Sequence, residues 1–302
     1  MRIAHISDLH VLAMNALRPS DMFTKRLTGY ANLKLKRSRH HTQARLDRVA
    51  EGVRALKPDH LVVTGDLTNL ALEEEFRRVR VYLDSLGLVP EAITVVPGNH
   101  DAYTRGAYKS GLFSKYFAPL TTATAGRAPP EHQILRTFPF MTWVADTTYV
   151  LALCSAVPRL PLVAAGEIGA VQLAGVQTLL AKPWMKGANL IVAVHHPLHM
   201  PQKGSKRWFE SLRDADALLD VLKAHGHFTL LHGHLHKRMT HRTEAYTSYG
   251  AASASNEHQD PLKDAAINVY DIAKDGSIDA WAHTWDEHGA SKRDSLAYPS
   301  HW

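Results

Sequence analysis

An α/β fold, in which helices flank a sheet, is the class that this sequence predicts. Three observations predict it: short hydrophobic strands alternate with amphipathic helices, the strands end in polar turns, and 45% of the 302 residues are hydrophobic. The β-α-β-α-β order in the first third of the chain indicates parallel strands there. The hydrophobic content is sufficient for a large buried core.

The elements of the first third follow from hydrophobic spacing and from end signals. Residues 3–7, 60–64 and 92–96 are β-favouring runs of the kind that form buried strands. A helix is predicted at 42–56, where apolar residues recur at helical spacing before a Lys-Pro pair. Another is predicted at 71–86, where three glutamates occupy the first turn and a glycine follows the end.

The rest of the chain continues this alternation and then becomes rich in strands. Residues 102–139 lack periodicity, and we expect loop and short helix there. Strands and helices then alternate at 148–154, 167–182, 189–194, 213–224 and 227–231. Alternating polar and apolar residues at 267–272 and 277–285 predict antiparallel strands. We expect one domain over residues 1–302, with a β-rich C-terminal segment at about 240–302.

Composition favours a cytoplasmic protein. Cys154 is the single cysteine, so an internal disulfide is excluded, as is typical of reducing compartments. The first residues do not resemble a signal peptide, because they are polar by the fifth position. No apolar run approaches the roughly 20 residues that span a bilayer. Peripheral association with the inner membrane surface is the alternative localisation.

Positive charge is concentrated near the N-terminus. The net charge is +6, yet residues 18–48 alone carry nine Lys or Arg and two Asp. Aromatic and aliphatic residues are interleaved, so a basic amphipathic insertion is predicted at about 11–41. Three roles stay open for it: a helical cap, a lid that recruits an anionic substrate or nucleic acid, or an element that binds an anionic membrane surface. Homodimerisation also stays open.

Five short motifs place candidate metal ligands at the ends of strands. They are Asp8-Leu9-His10, Gly65-Asp66, Gly98-Asn99-His100-Asp101, His195-His196-Pro197 and His232-Gly233-His234. Sites in α/β sheets collect beyond the carboxyl ends of strands, so we expect the motifs to form one site. Carboxylates, an amide oxygen and imidazoles together suit two ions of Zn, Mn or Fe better than Ca.

These motifs, in this order, resemble the signature of the calcineurin-like metallophosphoesterase superfamily, and most of all its bacterial enzymes similar to class III cyclic-nucleotide phosphodiesterases. The resemblance spans residues 8–234. It implies a four-layer αββα sandwich, in which two mixed sheets pack face to face with helices outside. It also implies two divalent or trivalent metal ions (Mn, Fe or Zn) and hydrolysis of a phosphodiester by a metal-bound hydroxide.

The resemblance further implies a role for each residue. The first metal would be held by Asp8, His10 and His234, the bridge would be Asp66, and the second metal would be held by Asn99, His195 and His232. His100 would contact the phosphate or protonate the leaving oxygen, so His100 and Asp66 are the predicted catalytic residues. His195 is preferred to its neighbour because the family ligand lies two residues before a proline. Three further histidines are expected to contact substrate: His196, His199 and His236.

The expected activity is hydrolysis of a small or medium phosphodiester, with a cyclic nucleotide as one candidate. Two alternatives rest on the basic insertion: a membrane-surface hydrolase of a lipid- or nucleotide-linked phosphoester or pyrophosphate, and a Mn-dependent nuclease. Phosphomonoesters also stay open as substrates, because the metals alone do not select the ester type. A metal-free scaffold is disfavoured, since every ligand position of the signature is filled.

Overall fold

The structure is a computed structural model, and it describes residues 1–17, 42–120, 138–201 and 204–296. Most of the basic insertion, residues 18–41, therefore lies outside the described residues, and so do the predictions made for it. None of the helices that the structure describes has the length and hydrophobicity that a membrane span requires.

Two six-stranded mixed sheets form the centre of the fold, as predicted. The first sheet has the order β12-β11-β10-β1-β2-β3, with the strands β1 (Arg2–Ile6), β2 (His60–Val63), β3 (Ile93–Val95), β10 (Ile267–Ile272), β11 (Ile278–Trp285) and β12 (Ser291–Ser295). Strands β1, β2 and β3 are parallel, whereas β10, β11 and β12 continue the sheet in antiparallel fashion. The parallel strands therefore end at the same edge.

The second sheet has the order β4-β5-β6-β7-β9-β8, with the strands β4 (Phe140–Ala145), β5 (Thr148–Ala152), β6 (Asn189–Ala193), β7 (Phe228–His232), β8 (Met239–Arg242) and β9 (Tyr246–Gly250). Strands β5, β6, β7 and β9 are parallel, and an antiparallel strand closes each edge. The hairpin partner β4 was not predicted. The short strands β8, β9 and β12 fall in the segment at about 240–302 that is expected to be β-rich, but their bounds were not predicted.

Helices cover the outer face of each sheet. They are α1 (Gln43–Leu56), α2 (Glu73–Asp84), α3 (Arg105–Lys109), α4 (Leu112–Phe117), α5 (Ala170–Leu180), α6 (Gly204–Glu210) and α7 (Ala215–Lys223). Short 3₁₀ turns occur at Met14–Ala16, Pro90–Ala92, Ala118–Leu120 and Pro183–Met185. Helix α6 was not predicted, and the other long helices lie within three residues of their predicted ends.

Three apolar clusters define the layers. One packs α1 and α2 against the first sheet, through side chains such as Val49 and Phe76. A second packs α5 and α7 against the second sheet, through side chains such as Val176 and Leu218. The third joins the two sheets, with Val62 of β2 in the same cluster as strands of the second sheet. The order helix, sheet, sheet, helix confirms the predicted αββα sandwich.

Helix α2 begins later than predicted because a buried carboxylate organises its entry. Ala71 has a left-handed backbone with φ of 52°, which helical geometry excludes. The Glu75 carboxylate accepts hydrogen bonds from the backbone N–H of Leu70 at 2.9 Å and of Leu72 at 3.1 Å. These donors precede the first helical residue, Glu73, so the carboxylate satisfies groups that the helix leaves without a partner.

Candidate metal centre

The polar turns after five strands meet at one edge of the sandwich, as the motifs predict. Backbone hydrogen bonds join the turns: Asp8 N–H donates to Gly65 O at 2.9 Å, and His10 N–H donates to Asp66 O at 3.0 Å. On the second sheet, Gly233 N–H donates to His195 O at 3.1 Å. The turns therefore form one connected frame around the side chains that they carry.

The backbone of this frame is unusual. Five non-glycine residues in it have φ between 47° and 69°, a left-handed region that side chains disfavour: Asp8, His10, Asp66, His234 and His236. Only four other described non-glycine residues have a positive φ. Conformations of this kind persist where the surrounding structure enforces them, and they concentrate at functional sites.

Two glycines of the motifs allow the turns to approach one another. A Cβ added at Gly65 would lie 2.5 Å from Gly98 N, and a Cβ at Gly233 would collide with Ser7 Oγ. In both cases the added Cβ would lie closer to its neighbour than van der Waals contact allows. Glycine at these positions is thus a condition for bringing the ligand turns together.

Four side chains form the first candidate cation site: Asp8, His10, Asp66 and His236, with ligand atoms all within 4.8 Å of one another. His236 Nε2 lies 3.1 Å from Asp8 Oδ1 and 3.0 Å from His10 Nε2. Asp8 Oδ1 is buried and receives no hydrogen bond of acceptable geometry from the described residues. A buried carboxylate oxygen facing imidazoles fits a cation as its partner.

The second candidate site lies on the other side of Asp66. Asn99 Oδ1 is 3.1 Å from both His195 Nε2 and His234 Nδ1, and Asp66 Oδ1 is 3.4 Å from His195 Nε2. Asp66 Oδ2 is 3.9 Å from His10 Nε2 of the first site. The two oxygens of Asp66 thus face different sites, which is the position of a bridging ligand.

The remaining ring nitrogens fix the tautomers of the second site. His195 Nδ1 lies 2.7 Å from Thr64 O, and His234 Nε2 lies 2.9 Å from Glu210 O. A carbonyl oxygen only accepts hydrogen bonds, so these nitrogens carry the protons. The opposite nitrogens, which face Asn99 and Asp66, then keep their lone pairs for a cation.

The electrostatics of the centre also fit cations. Burial acts to raise the pKa of Asp8 and of Asp66, but neighbouring imidazoles hold the pKa of Asp8 below its ordinary value and that of Asp66 well below it. Burial acts to lower the pKa of His195, but Asp66 raises it to about 9. Without a metal, a proton on His195 therefore compensates Asp66, and a cation is able to take that role.

His196 lies beside this site but has no nitrogen available for a metal. Its Nδ1 is 2.7 Å from Ser155 Oγ and its Nε2 is 2.8 Å from Ala164 O. Its ring packs 4.4 Å from the His234 ring, measured between centroids. This geometry favours His195 over His196 as ligand, and it makes His196 a support for His234.

Three histidines lie at the end of β7 and in the turn after it, and their positions differ from those that the roles implied by the resemblance require. His232 is buried, and its Nδ1 lies 3.0 Å from Gly233 O. His234 faces Asn99 in the second site, and His236 faces Asp8 in the first. The structure thus brings His234 and His236 into the clusters and places His232 outside both of them.

His100 lies beside the first site, and backbone and side-chain contacts fix its position. Its backbone N–H donates to Asp66 Oδ1 at 2.8 Å, and its Nδ1 lies 2.7 Å from Asn69 O. The ring is 5.0 Å from the His10 ring and stacks on Tyr103 at 5.3 Å. Asn69 and Tyr103 were not predicted, because neither lies in a ligand motif.

Two other residues from the sequence analysis, His199 and Asp101, contact neighbouring protein groups outside the two candidate cation sites. His199 stacks on His241 of β8, with ring centroids 4.1 Å apart. Asp101 is buried and accepts hydrogen bonds from the backbone N–H of Leu67, Thr68 and Gly98 at 2.9 to 3.2 Å. Burial and the nearby Asp66 raise the pKa of Asp101 to about 6. Asp101 therefore joins the second and third ligand turns.

Residues 1–238 match the model of the calcineurin-like phosphoesterase family, so the chain belongs to that family. A curated relative, a probable cyclic nucleotide phosphodiesterase from Rhodococcus erythropolis (strain PR4 / NBRC 100887), is 27% identical over 243 residues. The match covers 79% of this chain and 65% of the relative, so the chain spans just under two thirds of that protein.

Solved structures with the same fold include two phosphatases. A dimetal phosphatase from Danio rerio is similar with a TM-score of 0.64 and 13% identity, over 98% of this chain and 96% of that one. The purple acid phosphatase PPD1 from yellow lupin (Lupinus luteus) has a TM-score of 0.59 and 12% identity, over 97% and 53%. At these identities the similarity shows the fold alone.

Proposed function

We propose that this protein is a phosphodiesterase that depends on a dinuclear metal centre. The observation that carries the proposal is Asp66, whose two carboxylate oxygens face two separate clusters of imidazole and oxygen ligands. The first metal is assigned to Asp8, His10, Asp66 and His236, and the second to Asp66, Asn99, His195 and His234. This assignment exchanges His232 for His236 and moves His234 to the second metal.

The ligand set suits cations that activate water. Two divalent cations bound there would lower the pKa of a water molecule and stabilise negative charge on the phosphate oxygens. The protein fixes the ligands beforehand, because carbonyl groups orient His195 and His234 and the turn around Asp101 holds Asp66 in place. The mixture of oxygen and imidazole ligands favours Mn, Fe or Zn.

His100 is proposed to act on the substrate rather than on a metal. Its Nδ1 donates to the Asn69 carbonyl, so the proposed contact with the phosphate or with the leaving oxygen is assigned to Nε2. Asn69 in turn donates to His10 O at 2.8 Å and so links His100 to the first ligand turn. The ring is held between His10 and Tyr103, which limits its rotation.

A diester is favoured over a monoester by the charge at the centre. Among the described residues, the ion pairs that reach Asp8 and Asp66 come from histidines and not from Lys or Arg. The side chains around these carboxylates therefore suit a substrate with a small negative charge. A phosphodiester carries one negative charge near neutral pH, whereas a monoester carries about 1.5 to 2. The relative from Rhodococcus, described as a probable cyclic nucleotide phosphodiesterase, supports the same choice.

The test compares bis(p-nitrophenyl) phosphate with p-nitrophenyl phosphate. Metal-stripped protein is reloaded with Mn, Fe or Zn, and we expect diester turnover to return with metal. Asn99→Ala removes a ligand of the second site and should lose both that turnover and one equivalent of metal. The matched control is His288→Ala, since His288 is exposed and remote from the ligand motifs. Faster hydrolysis of the monoester would contradict the proposal and indicate a phosphatase.

A further inference from the structure

A surface beside the metal centre exposes apolar side chains that a water-soluble protein normally buries. Leu160 is 74% exposed, Leu162 is 88% exposed and Trp208 is 60% exposed, and Phe209, which follows Trp208 in sequence, is also exposed. We call these four residues the apolar rim. Contiguous exposed apolar groups of this kind mark sites of interaction with a protein, a ligand or a membrane.

The apolar rim is one surface, although its residues come from two segments. Ala164 N–H donates to Phe209 O at 2.9 Å, and Gly166 N–H donates to Ser211 O at 3.1 Å. The loop that carries Leu160 and Leu162 is therefore joined to the end of α6, which carries Trp208. Leu162 has φ of 68°, a disfavoured conformation for leucine, at the tip of this loop.

A cavity of about 650 Å³ separates the apolar rim from helix α3. Three arginines contribute to its lining: Arg105, Arg159 and Arg213. Arg159 is paired with Glu167 at 2.6 Å, but among the described residues no carboxylate lies within 4.0 Å of Arg105 or Arg213. The Arg213 guanidinium lies 5.2 Å from the centroid of the Trp208 ring. The cavity thus presents net positive charge directly below apolar side chains.

Residues that line this cavity, or that lie next to its lining residues, contact the candidate metal centre. Tyr103 stacks on His100, and Glu210 of helix α6 accepts a hydrogen bond from His234 through its carbonyl. Ala164 follows the lining residue Val163 and contacts His196 through its carbonyl. The cavity therefore lies next to the candidate metal centre, on the side where the apolar rim is exposed.

We infer that the apolar rim and the cavity form a membrane-binding surface, which presents the phosphodiester of an anionic lipid to the metal centre. The inference rests on the proposed function for its chemistry. Aliphatic tips such as Leu160 and Leu162 match acyl chains, whereas the arginines match anionic headgroups. A nucleotide would account for Trp208 by stacking, but it leaves two exposed leucines unexplained.

Vesicle co-sedimentation of the full chain tests this surface. The vesicles are phosphatidylcholine with about one third phosphatidylglycerol, an anionic composition that attracts basic surfaces. We expect the wild-type protein to bind them, and Leu160→Ser with Leu162→Ser to reduce binding at least tenfold. The matched control is Val171→Ser, because Val171 is equally exposed at 89% but lies on helix α5 outside the apolar rim. The double variant keeps the basic residues 18–48, so a loss is assigned to the loop.

Activity separates this inference from the proposed function. The double variant should keep wild-type turnover of bis(p-nitrophenyl) phosphate and lose turnover of phosphatidylglycerol in vesicles. If metal-loaded wild type fails on the soluble diester but binds vesicles through the leucines, the proposed function fails and the surface stands. Equal vesicle binding by wild type, the double variant and the control would overturn the inference, and so would no binding at all. Trp208-dependent turnover of thymidine 5′-(p-nitrophenyl phosphate), without vesicle binding, would assign the cavity to nucleotides instead.

Discussion

The two halves of the metal centre are built with different chemistry. The half that follows β1, β2 and β3 contributes carboxylate and amide oxygens together with the imidazole of His10, and the buried carboxylates of Asp101 and Glu75 hold its turns together. The half that follows β6 and β7 contributes imidazoles only, and backbone carbonyls orient two of them, His195 and His234. The first half thus provides negative charge, and the second provides neutral ligands.

The groups that support the two halves differ in whether they bind protons. Carbonyl groups do not titrate, so a change of pH does not alter the acceptors that orient His195 and His234. The supporting carboxylates of the first half do titrate, because burial raises the pKa of Asp101 to about 6 and that of Glu75 to about 7. The first half therefore depends on pH in a range where the second half does not.

The largest effect is expected from Asp66, the residue that both halves share. Asp66→Asn keeps the size of the side chain and removes the charge that faces both clusters. We expect both metals to be lost and diester turnover to fall by more than about 100-fold, since changes to residues that merely support ligands already cost about 10- to 100-fold. Metal content by mass spectrometry and turnover after metal reloading measure the two effects.

Retention of two metals by Asp66→Asn would show that the halves bind independently. The bridging assignment would then be wrong. Circular dichroism of the variant checks the fold, because removing a buried charge from a cluster of imidazoles also changes stability.

A smaller and one-sided effect is expected from His236. His236→Asn should remove one equivalent of metal and about 100-fold of the activity, because the residue faces Asp8 in the first site alone. His232→Asn is the matched comparison, since His232 lies two residues before the ligand pair and outside both clusters. It should retain two metals and lose stability instead. The opposite pattern would restore the ligand roles that the family resemblance implies.

The spacing of His232, His234 and His236 does not determine which two of them are ligands. All three are spaced by two residues, so in an extended chain all three share a face and any adjacent pair fits the motif. The backbone decides, because φ is 69° at His234 and 49° at His236 and the chain is not extended there. A sequence does not reveal a left-handed histidine, whereas the glycine turns of the first half were visible as motifs.

The elements of the fold that could be predicted are those with a clear hydrophobic pattern. Strands with hydrophobic sequences such as β2 and β6, and helices with a clear apolar spacing such as α1, were located within two residues. Two of the missed strands lack that signal: β12 has the sequence SKRDS, without an apolar residue, and β8 has the sequence MTHR, with one. Their place in the sheets comes from pairing with β11 and β9, which local sequence does not encode.

The smallest effect on activity, and the clearest on stability, is expected from Glu75. Burial raises its pKa from 4.5 to about 7, so the folded protein holds a proton in this range that the unfolded chain releases. The stability that this proton contributes is present below pH 4.5 and is lost as the pH rises through about 7. That loss amounts to about 3 kcal/mol. Glu75→Gln lacks the titrating group, so its free energy of unfolding should not show this decline.

Urea unfolding of both proteins at pH 5 and pH 8 measures the difference. Glu74→Gln on the same helix is the control, because hydrogen bonds from Arg77 and Arg78 lower the pKa of Glu74 to about 2. Its contribution is therefore constant between pH 5 and pH 8, and the control should follow the wild type. If Glu75→Gln also follows the wild type, Glu75 is ionised in the folded protein throughout. The support that Glu75 gives to the first half would then not change with pH, just as the carbonyl supports of the second half do not.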